Sequence, residues 1–225
     1  MVLALLRVRF VTYVEKDAIT PRMHQQNQPT LILASSSPRR QELLRQAGIP
    51  FQVHAAHINE DQLAAEKPNE YALRLAREKA QVVSKHYPQS YVLGADTIVV
   101  VDDEVLGKPK DHADAARMLR RLSGRSHDVT TAVSLVAPSA VSSRTVAPDA
   151  RTETRACTTK VYFRKITEDE IQQYVASGEP MDKAGAYAIQ GGASRWTDRI
   201  EGEWSNVVGL PLSLVTDLLR TNGLK

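Results

Sequence analysis

The chain has 225 residues, of which 42% are hydrophobic and 24% are charged, and its formal net charge at pH 7 is +3. That composition fits one globular domain, or two small lobes that share a sheet. So small a charge does not argue for nucleic acid, and the single cysteine, Cys157, excludes an intramolecular disulfide and a cysteine-based zinc cluster. No apolar run is long enough to span a membrane, so we expect a protein of the reducing cytoplasm.

The first 29 residues differ from the rest of the chain. The segment starts apolar, but charged residues interrupt it and no small-residue cleavage site follows, so it is a poor signal peptide. A polar linker precedes the first clear strand. We predict that residues 1–29 are a poorly ordered extension, with the hypothesis that Met23 is the true start, and that residues 30–225 form one domain of two lobes.

The first clear element is an apolar strand at 31–33, which is followed by three serines and a helix. Ser37 is a good N-cap, and Pro38 suits the first helical position because its missing N–H has no partner there. Arg39 and Arg40 then lie in the first helical turn, where the helix dipole disfavours cations. Either an anion such as a phosphate sits at this helix start, or both arginines are solvated on an exposed face.

A second strand is predicted at 51–54, and an acidic loop at 58–61 precedes a long helix from Pro68 to about Lys85. Apolar residues recur on this helix at helical spacing, and Lys79 interrupts that face. Lys79 either extends its ammonium to solvent along the helix or binds a phosphate.

The strongest strand of the sequence is predicted at 91–101. Its continuous apolar run indicates burial on both faces, and Asp96 interrupts it. A carboxylate in a core strand must be paired, protonated or coordinated, because an unpaired buried charge is very costly. Its place in mid-strand, after Gly94, therefore favours a functional role. Thr97 should point to the opposite face unless a bulge at the glycine re-aims it.

The middle of the chain contains a loop lysine and a predicted hairpin. Lys108 lies between a glycine and a proline, and it is either an exposed loop residue or a ligand contact. A helix follows at 111–123 and a strand at 129–136. Residues 138–154 have no periodicity and are predicted to be a surface excursion, after which 157–166 pairs back as the second strand of a long hairpin.

The C-terminal part is predicted to contain two helices and another hairpin. Thr167 opens a capping box, so a helix should run to Gly178. Residues 181–192 are rich in glycine and alanine, which indicates a close backbone approach. A hairpin is predicted at 196–208 and a terminal helix from Pro211. Strands alternate with helices early and hairpins dominate later, which predicts an α/β fold with a mixed central sheet flanked by helices, and two lobes with a cleft between them.

Several charged residues stand where the structure alone does not require them. The cations could neutralise the oxygens of a polyphosphate, while the carboxylates hold a divalent metal or take a proton from water. The water could then attack a phosphorus in line with its leaving group. The cations are Arg39, Arg40, Lys79 and Lys108, and the carboxylates are Glu60 and Asp96.

Long motifs of this sequence resemble the Maf family of nucleotide pyrophosphatases, also described as septum formation inhibitors. The resemblance extends from about Leu31 to the C-terminal helix. It rests on Ala-Ser-x-Ser-Pro-Arg-Arg-x-Glu-Leu-Leu at 34–44, Leu-Ala-Arg-Glu-Lys-Ala at 75–80, Val-Leu-Gly-Ala-Asp-Thr at 92–97, Gly-Lys-Pro at 107–109, Asp-Lys-Ala-Gly-Ala-Tyr-x-Ile-Gln-Gly at 182–191 and Asn-Val-Val-Gly-Leu-Pro at 206–211.

This resemblance implies an enzyme, a nucleoside triphosphate diphosphatase that uses Mg²⁺ or Mn²⁺ to form the monophosphate and pyrophosphate. It implies that Asp96 is the proton acceptor and that Glu60 and Asp96 ligate the metal, although the residues alone do not say which carboxylate does which. The phosphate and metal site would be lined by Ser35, Arg40, Glu60, Lys79 and Lys108.

The resemblance implies that base selection is associated with Arg39, Thr97 and Gln190. This combination resembles the branch that acts on dTTP and UTP, with modified pyrimidine nucleotides as further candidates and a house-cleaning role. Gln190 offers both a donor and an acceptor, which matches the O4 and N3–H edge of a pyrimidine. The family fold is a mixed α/β structure with a cleft between lobes.

The resemblance also bears on partners. It implies a homodimer, and neither nucleic acid nor a membrane is expected. Two segments depart from the family, namely residues 1–29 and the 138–155 excursion, which is longer than usual and could affect dimerisation. The alternative interpretation is a non-catalytic, nucleotide-binding regulator of cell division. A nucleic-acid binder is disfavoured because only 5% of the residues are aromatic.

Overall fold

A computed structural model describes residues 30–138 and 151–224. The predicted extension at 1–29 and most of the predicted excursion lie outside these residues. The described strands are β1 (Leu31–Leu33), β2 (Phe51–Val53), β3 (Tyr91–Val101), β4 (Glu104–Leu106), β5 (Ser126–Val136), β6 (Thr152–Phe163) and β7 (Thr197–Glu201). The described α-helices are α1 (Pro38–Gln46), α2 (Pro68–Ser84), α3 (His112–Leu122), α4 (Glu168–Ala176), α5 (Trp204–Val208) and α6 (Leu212–Thr221). None of the helices within these ranges is long and apolar enough to cross a membrane.

The seven strands form one mixed sheet in the order β2-β1-β3-β5-β6-β7, with β4 paired to β3. The strands β1, β2 and β3 are parallel, and β5, β6 and β7 continue the sheet as antiparallel neighbours. Helices cover both faces, since α2 packs on one face and α1, α3, α4 and α6 contribute buried side chains to the other. The predicted mixed α/β fold is confirmed.

The edge of β3 is open in its middle. β1 pairs with β3 at residues 91–93, and β4 pairs with the same edge of β3 at residues 99–101. Within the described part of the chain, residues 94–98 therefore have no strand neighbour on this side, whereas β5 pairs with them on the other side without a bulge. A parallel sheet whose neighbouring strand stops short leaves a crevice at its carboxyl end, which is where ligands bind in open α/β sheets.

Strand β3 is buried on both faces, as its apolar run predicted. Leu93 and Val99 pack in the large core with the α1 side of the sheet, whereas Val92 and Ile98 pack against α2. Gly94 lies on the α2 face, where an added Cβ would come within 2.3 Å of the Ala76 carbonyl oxygen. The helix therefore sits closer to the strand than any side chain would allow.

Two predictions at the C-terminal side of the chain were wrong. Strand β6 begins at Thr152 and not at Cys157. Residues 152–155 are all half-buried and polar or charged, so no alternating apolar pattern marks them in the sequence. The predicted hairpin at 196–208 is a strand followed by a helix, since β7 ends at Glu201 and α5 begins at Trp204. The capping box at Thr167 is confirmed, with its hydroxyl accepting from the Glu170 N–H.

Candidate active site

A cleft of about 760 Å³ opens at the unpaired segment of β3. Its volume is that of an ordinary small-molecule site. The walls come from the β1–α1 turn, the loop before α2, the β4–α3 loop, the turns around 182–184 and the α5–α6 loop. Of the residues singled out from the sequence, the cleft is lined by Ser35, Arg39, Arg40, Glu60, Lys79, Asp96, Thr97 and Lys108.

The deepest charges of the cleft belong to a lysine that bridges two carboxylates. The Lys79 ammonium lies 2.7 Å from Asp96 Oδ1 and 2.8 Å from Glu60 Oε1. The side chains of Lys79 and Asp96 are only 9% and 10% exposed, whereas that of Glu60 is 49% exposed. Lys79 therefore does not reach solvent along its helix, and Asp96 is paired as its mid-strand position required.

Burial raises the pKa of Asp96 above its usual value, although Lys79 and Arg40 act in the opposite direction. Burial also opposes the ionisation of Glu60, but the hydrogen bond and charge of Lys79, with further help from Lys108 and Arg40, lower the pKa of that carboxyl. The two carboxylates thus differ, because Asp96 is the stronger proton acceptor and Glu60 stays ionised to lower pH.

The same pair fits a divalent cation. Mg²⁺ is usually held by one or two carboxylates together with substrate phosphates, so a larger protein cage is not needed. Within the described ranges, no group of three or more histidine, cysteine or acidic side chains could hold a metal. Glu60 and Asp96 both contact one cationic centre, the Lys79 ammonium, and two carboxylates so placed could share a cation with a substrate phosphate.

Arg40 lies on the opposite face of β3 and joins three segments of the cleft wall. Its Nε donates to the Gly209 carbonyl oxygen at 2.9 Å, and its Nη1 and Nη2 donate to Ser35 Oγ and Thr97 Oγ1, each at 3.1 Å. Desolvation lowers the pKa of the Arg40 guanidinium, but an arginine remains charged. Among the residues that the structure describes, the other two of its five N–H groups have no hydrogen-bond partner.

A hydrogen-bond chain behind Arg40 fixes this wall. Thr97 Oγ1 lies 3.0 Å from Thr131 Oγ1, which donates to the Asn206 carbonyl oxygen at 3.0 Å. The fully buried Asn206 amide donates to the Val129 carbonyl oxygen and to Thr159 Oγ1, both at 2.9 Å. The motif around 206–211 thus holds the Gly209 carbonyl in place for the guanidinium.

The other predicted residues lie at the mouth of the cleft or outside it. Lys108 is exposed and lines the cleft. Arg39 is 31% exposed and lies 3.6 Å from Asp182. Gln190 is exposed and is not among the residues that line the cleft, although its turn follows the 182–184 wall. The structure therefore brings all the predicted residues together except Gln190.

Some contributors to the site were not singled out from the sequence. Gly185 has φ 67° and donates its N–H to the Gly107 carbonyl oxygen at 3.1 Å, which ties the turn after Lys183 to the loop of Lys108. An added Cβ at Gly185 would lie 2.9 Å from Val99. The glycine-rich composition of 181–192 predicted such a close approach without giving its partner.

Comparisons with known proteins identify the family of this chain. The model of the family described as Maf-like protein matches residues 30–222. The dTTP/UTP pyrophosphatase of Koribacter versatilis is 52% identical over 194 residues, which cover 86% of this chain and 95% of that protein. The dTTP/UTP pyrophosphatase of Symbiobacterium thermophilum is 53% identical over 193 residues, which cover 86% and 94%. Among solved structures, the Staphylococcus aureus Ham1 protein has a TM-score of 0.46 at 13% identity, and the match covers 85% of this chain and 98% of that chain.

Proposed function

The chain belongs to the family of Maf-like proteins, and on that premise we propose that it hydrolyses dTTP and UTP to the nucleoside monophosphate and pyrophosphate. The observation that carries the proposal is the convergence of Asp96, Glu60 and Lys79 in the same cleft as Arg40 and Lys108. Two carboxylates facing three cations suit a polyanion that reacts by attack of water.

Asp96 is the proton acceptor of this mechanism. Lys79 donates to its Oδ1, which leaves Oδ2 to take a proton from water. The raised pKa of Asp96 makes it a better base than an exposed aspartate. The water then attacks the α-phosphorus, the bond from that phosphorus to its bridging oxygen breaks, and pyrophosphate leaves in line.

The remaining polar residues bind and orient the triphosphate. Lys108 and the two unused N–H groups of Arg40 face its oxygens, and Ser35 supplies a hydroxyl on the same side. Glu60 and Asp96 would hold Mg²⁺ or Mn²⁺. When bound, the cation neutralises phosphate oxygens and so favours attack by water.

The base is selected on the Thr97 side of β3. Val129 and Tyr187 contribute apolar surface to the wall there, and Arg39 stands at the mouth of the cleft. Gln190 would have to swing toward the base to present its amide. The amide matches the O4 and N3–H edge of thymine or uracil because it can both donate and accept.

Incubation of the purified protein with dTTP or UTP and Mg²⁺ in ¹⁸O-labelled water tests the proposal. We expect pyrophosphate and a monophosphate that carries the label. Release of orthophosphate, with the diphosphate left behind, would contradict the assigned cleavage. Label in the pyrophosphate would place the attack on the β-phosphorus instead.

We also infer from the family resemblance that the enzyme is a cytoplasmic homodimer. Sedimentation equilibrium of the full chain tests the dimer, and we expect a mass of about twice 24.9 kDa. A monomer at micromolar concentration would contradict it.

A further inference from the structure

Glu60 lies in a stretch of the chain without regular structure. Between β2 and α2, residues 54–67 form neither helix nor strand. Ala65 in this loop has φ 59°, which a residue with a side chain adopts only where its surroundings impose it. Glu60 nevertheless meets Lys79 at 2.8 Å, so contacts from outside the loop must hold it there.

One such contact comes from a tyrosine on α2. The Tyr71 hydroxyl donates to the Glu60 carbonyl oxygen at 2.6 Å. Tyr71 and Lys79 are on the same helix, so α2 binds both the main-chain carbonyl and the side-chain carboxylate of Glu60. The Tyr71 ring also lines the cleft.

A second contact with this loop comes from Arg74, which lies between Tyr71 and Lys79 on α2. Arg74 forms a two-point ion pair with Glu66, with Nε–Oε1 at 2.7 Å and Nη2–Oε2 at 2.9 Å, and the Glu66 side chain is 8% exposed. Its Nη2 also donates to the Asp61 carbonyl oxygen at 3.0 Å. Glu66 Oε2 in turn accepts from the Leu63 N–H at 3.1 Å. The pair therefore fixes both ends of residues 61–66, directly after Glu60.

We propose that Tyr71 and Arg74 are positioning residues that hold Glu60 against Lys79, so that α2 both supplies the lysine and sets the carboxylate that meets it. A planar guanidinium is required for the two-point pair, which an ammonium cannot form. The catalytic consequence of this inference rests on the proposed function, whereas the placement of the loop does not.

Arg74→Lys and Tyr71→Phe test the proposal against matched controls. Arg120→Lys removes an arginine fork of similar geometry, with bonds of 2.9 and 2.5 Å to Glu168, away from the cleft. Tyr91→Phe removes a tyrosine hydroxyl that donates to the Asn222 carbonyl oxygen at the same 2.6 Å. Any loss seen in the control variants reports stability and not placement of Glu60.

For kinetics we expect kcat/KM for dTTP to fall about 10- to 100-fold in Arg74→Lys and less in Tyr71→Phe, as for other residues that orient a functional carboxylate. The controls should stay within about twofold of wild type. In a Glu60→Gln background, Arg74→Lys should add nothing, because the group it places is already lost. An equal further loss in that background would overturn the proposal, as would wild-type kinetics in both variants.

Hydrogen–deuterium exchange of the full chain without nucleotide gives an answer that does not depend on activity. We expect peptides covering 58–66 to exchange faster in Arg74→Lys and Tyr71→Phe, and not in the controls. Unchanged exchange would overturn the proposal even if turnover falls. If the wild-type protein does not hydrolyse dTTP or UTP, the proposed function fails, and the exchange result still decides whether these residues hold the loop. If Arg74→Lys does not fold, Tyr71→Phe carries both tests.

Discussion

The side chains on the two faces of β3 contribute to the cleft through different kinds of interaction. On one face, the Lys79 ammonium lies 2.7 Å from Asp96 and 2.8 Å from Glu60, and the side chains of Lys79 and Asp96 are largely out of water. On the other face, the Thr97 hydroxyl belongs to a hydrogen-bonded network with one guanidinium, that of Arg40. Neighbours on a strand point to opposite faces, so adjacent residues normally serve separate sites. Here both reach one cleft, because no other strand of the described ranges pairs with this edge of β3 over 94–98.

This contrast teaches that the face of Asp96, called the charged face here, should carry the chemistry. The face of Thr97, called the neutral face because its strand residue is uncharged although Arg40 lies on it, should carry placement and selection. A buried charge changes its proton affinity and its interaction with a transition state more than a neutral hydroxyl does. Substitutions on the charged face should therefore lower kcat, and those on the other face should mainly change KM, base preference or stability.

The largest effect is expected from Asp96→Asn. Loss of the proton acceptor should lower kcat at least about 100-fold, within the range for general base catalysis, while nucleotide still binds. Turnover of dTTP and calorimetric titration measure the two quantities. Asp128→Asn is the matched control, because Asp128 also pairs with a lysine, Lys160, at 2.7 Å but on the surface. Wild-type rates in Asp96→Asn would refute the role.

Gly94→Ala should damage the charged face through packing. The new Cβ would meet the Ala76 carbonyl oxygen at 2.3 Å and the Ala80 nitrogen at 2.7 Å, both of them backbone atoms of α2. We expect the free energy of unfolding to fall by about 1–3 kcal/mol, as for other overpacked sites, and kcat to fall as Lys79 moves. Urea unfolding and turnover check this. An unchanged kcat in a folded variant would show that the distance between α2 and β3 does not affect catalysis.

The pH dependence of the free energy of unfolding tests the neutral face through its buried histidine, His127. His127 is 2% exposed, its Nε2 lies 2.8 Å from the Tyr187 hydroxyl, and burial lowers its pKa to about 4. Because the unfolded chain binds a proton near pH 6.5 and the folded chain does not, stability is full above that pH and declines toward pH 4. This residue alone should cost roughly 2–3 kcal/mol at pH 4.5.

Urea unfolding at pH 7 and pH 4.5 measures that decline. His127→Gln should reduce the difference between the two pH values, whereas His112→Gln, which changes an exposed histidine, should not. An identical decline in wild type and His127→Gln would show that His127 does not titrate with folding.

The smallest effect is expected from Thr97→Val. It removes one hydroxyl between Arg40 and Thr131, a loss worth about 1 kcal/mol. KM for dTTP should rise a few-fold, or the preference between dTTP and UTP should change, with kcat nearly constant. Thr130→Val is the control, since its hydroxyl meets Thr158 Oγ1 at 2.8 Å on the other face. A fall in kcat as large as that of Asp96→Asn would erase the contrast between the faces.

The charged face was largely predictable from the sequence. Asp96 interrupts an apolar strand and Lys79 an apolar helix face, and each exception is visible within one element. The placement of Glu60 was not predictable, because its loop has no periodicity and its position depends on Tyr71 and Arg74 of the next helix. The sequence marks these two only as ordinary members of α2.

The arrangement of the neutral face was harder to predict from the sequence for the same reason. Arg40 stands out at a helix start, but its partners Gly209 and Thr131 are distant in sequence and chemically ordinary. The fully buried Asn206 could have been found only by knowing that α5 sits where a hairpin was predicted. Local patterns show what an element buries, whereas hydrogen bonds between distant elements depend on the packing itself.

A crystal structure of Asp96→Asn with dTTP and Mg²⁺ bound tests the central claim most directly. We predict that the triphosphate crosses the open edge of β3, with its α-phosphorus beside residue 96, its terminal phosphates toward Lys108 and its base on the Thr97 side. Nucleotide bound away from the 94–98 segment would contradict the assignment of this cleft as the active site.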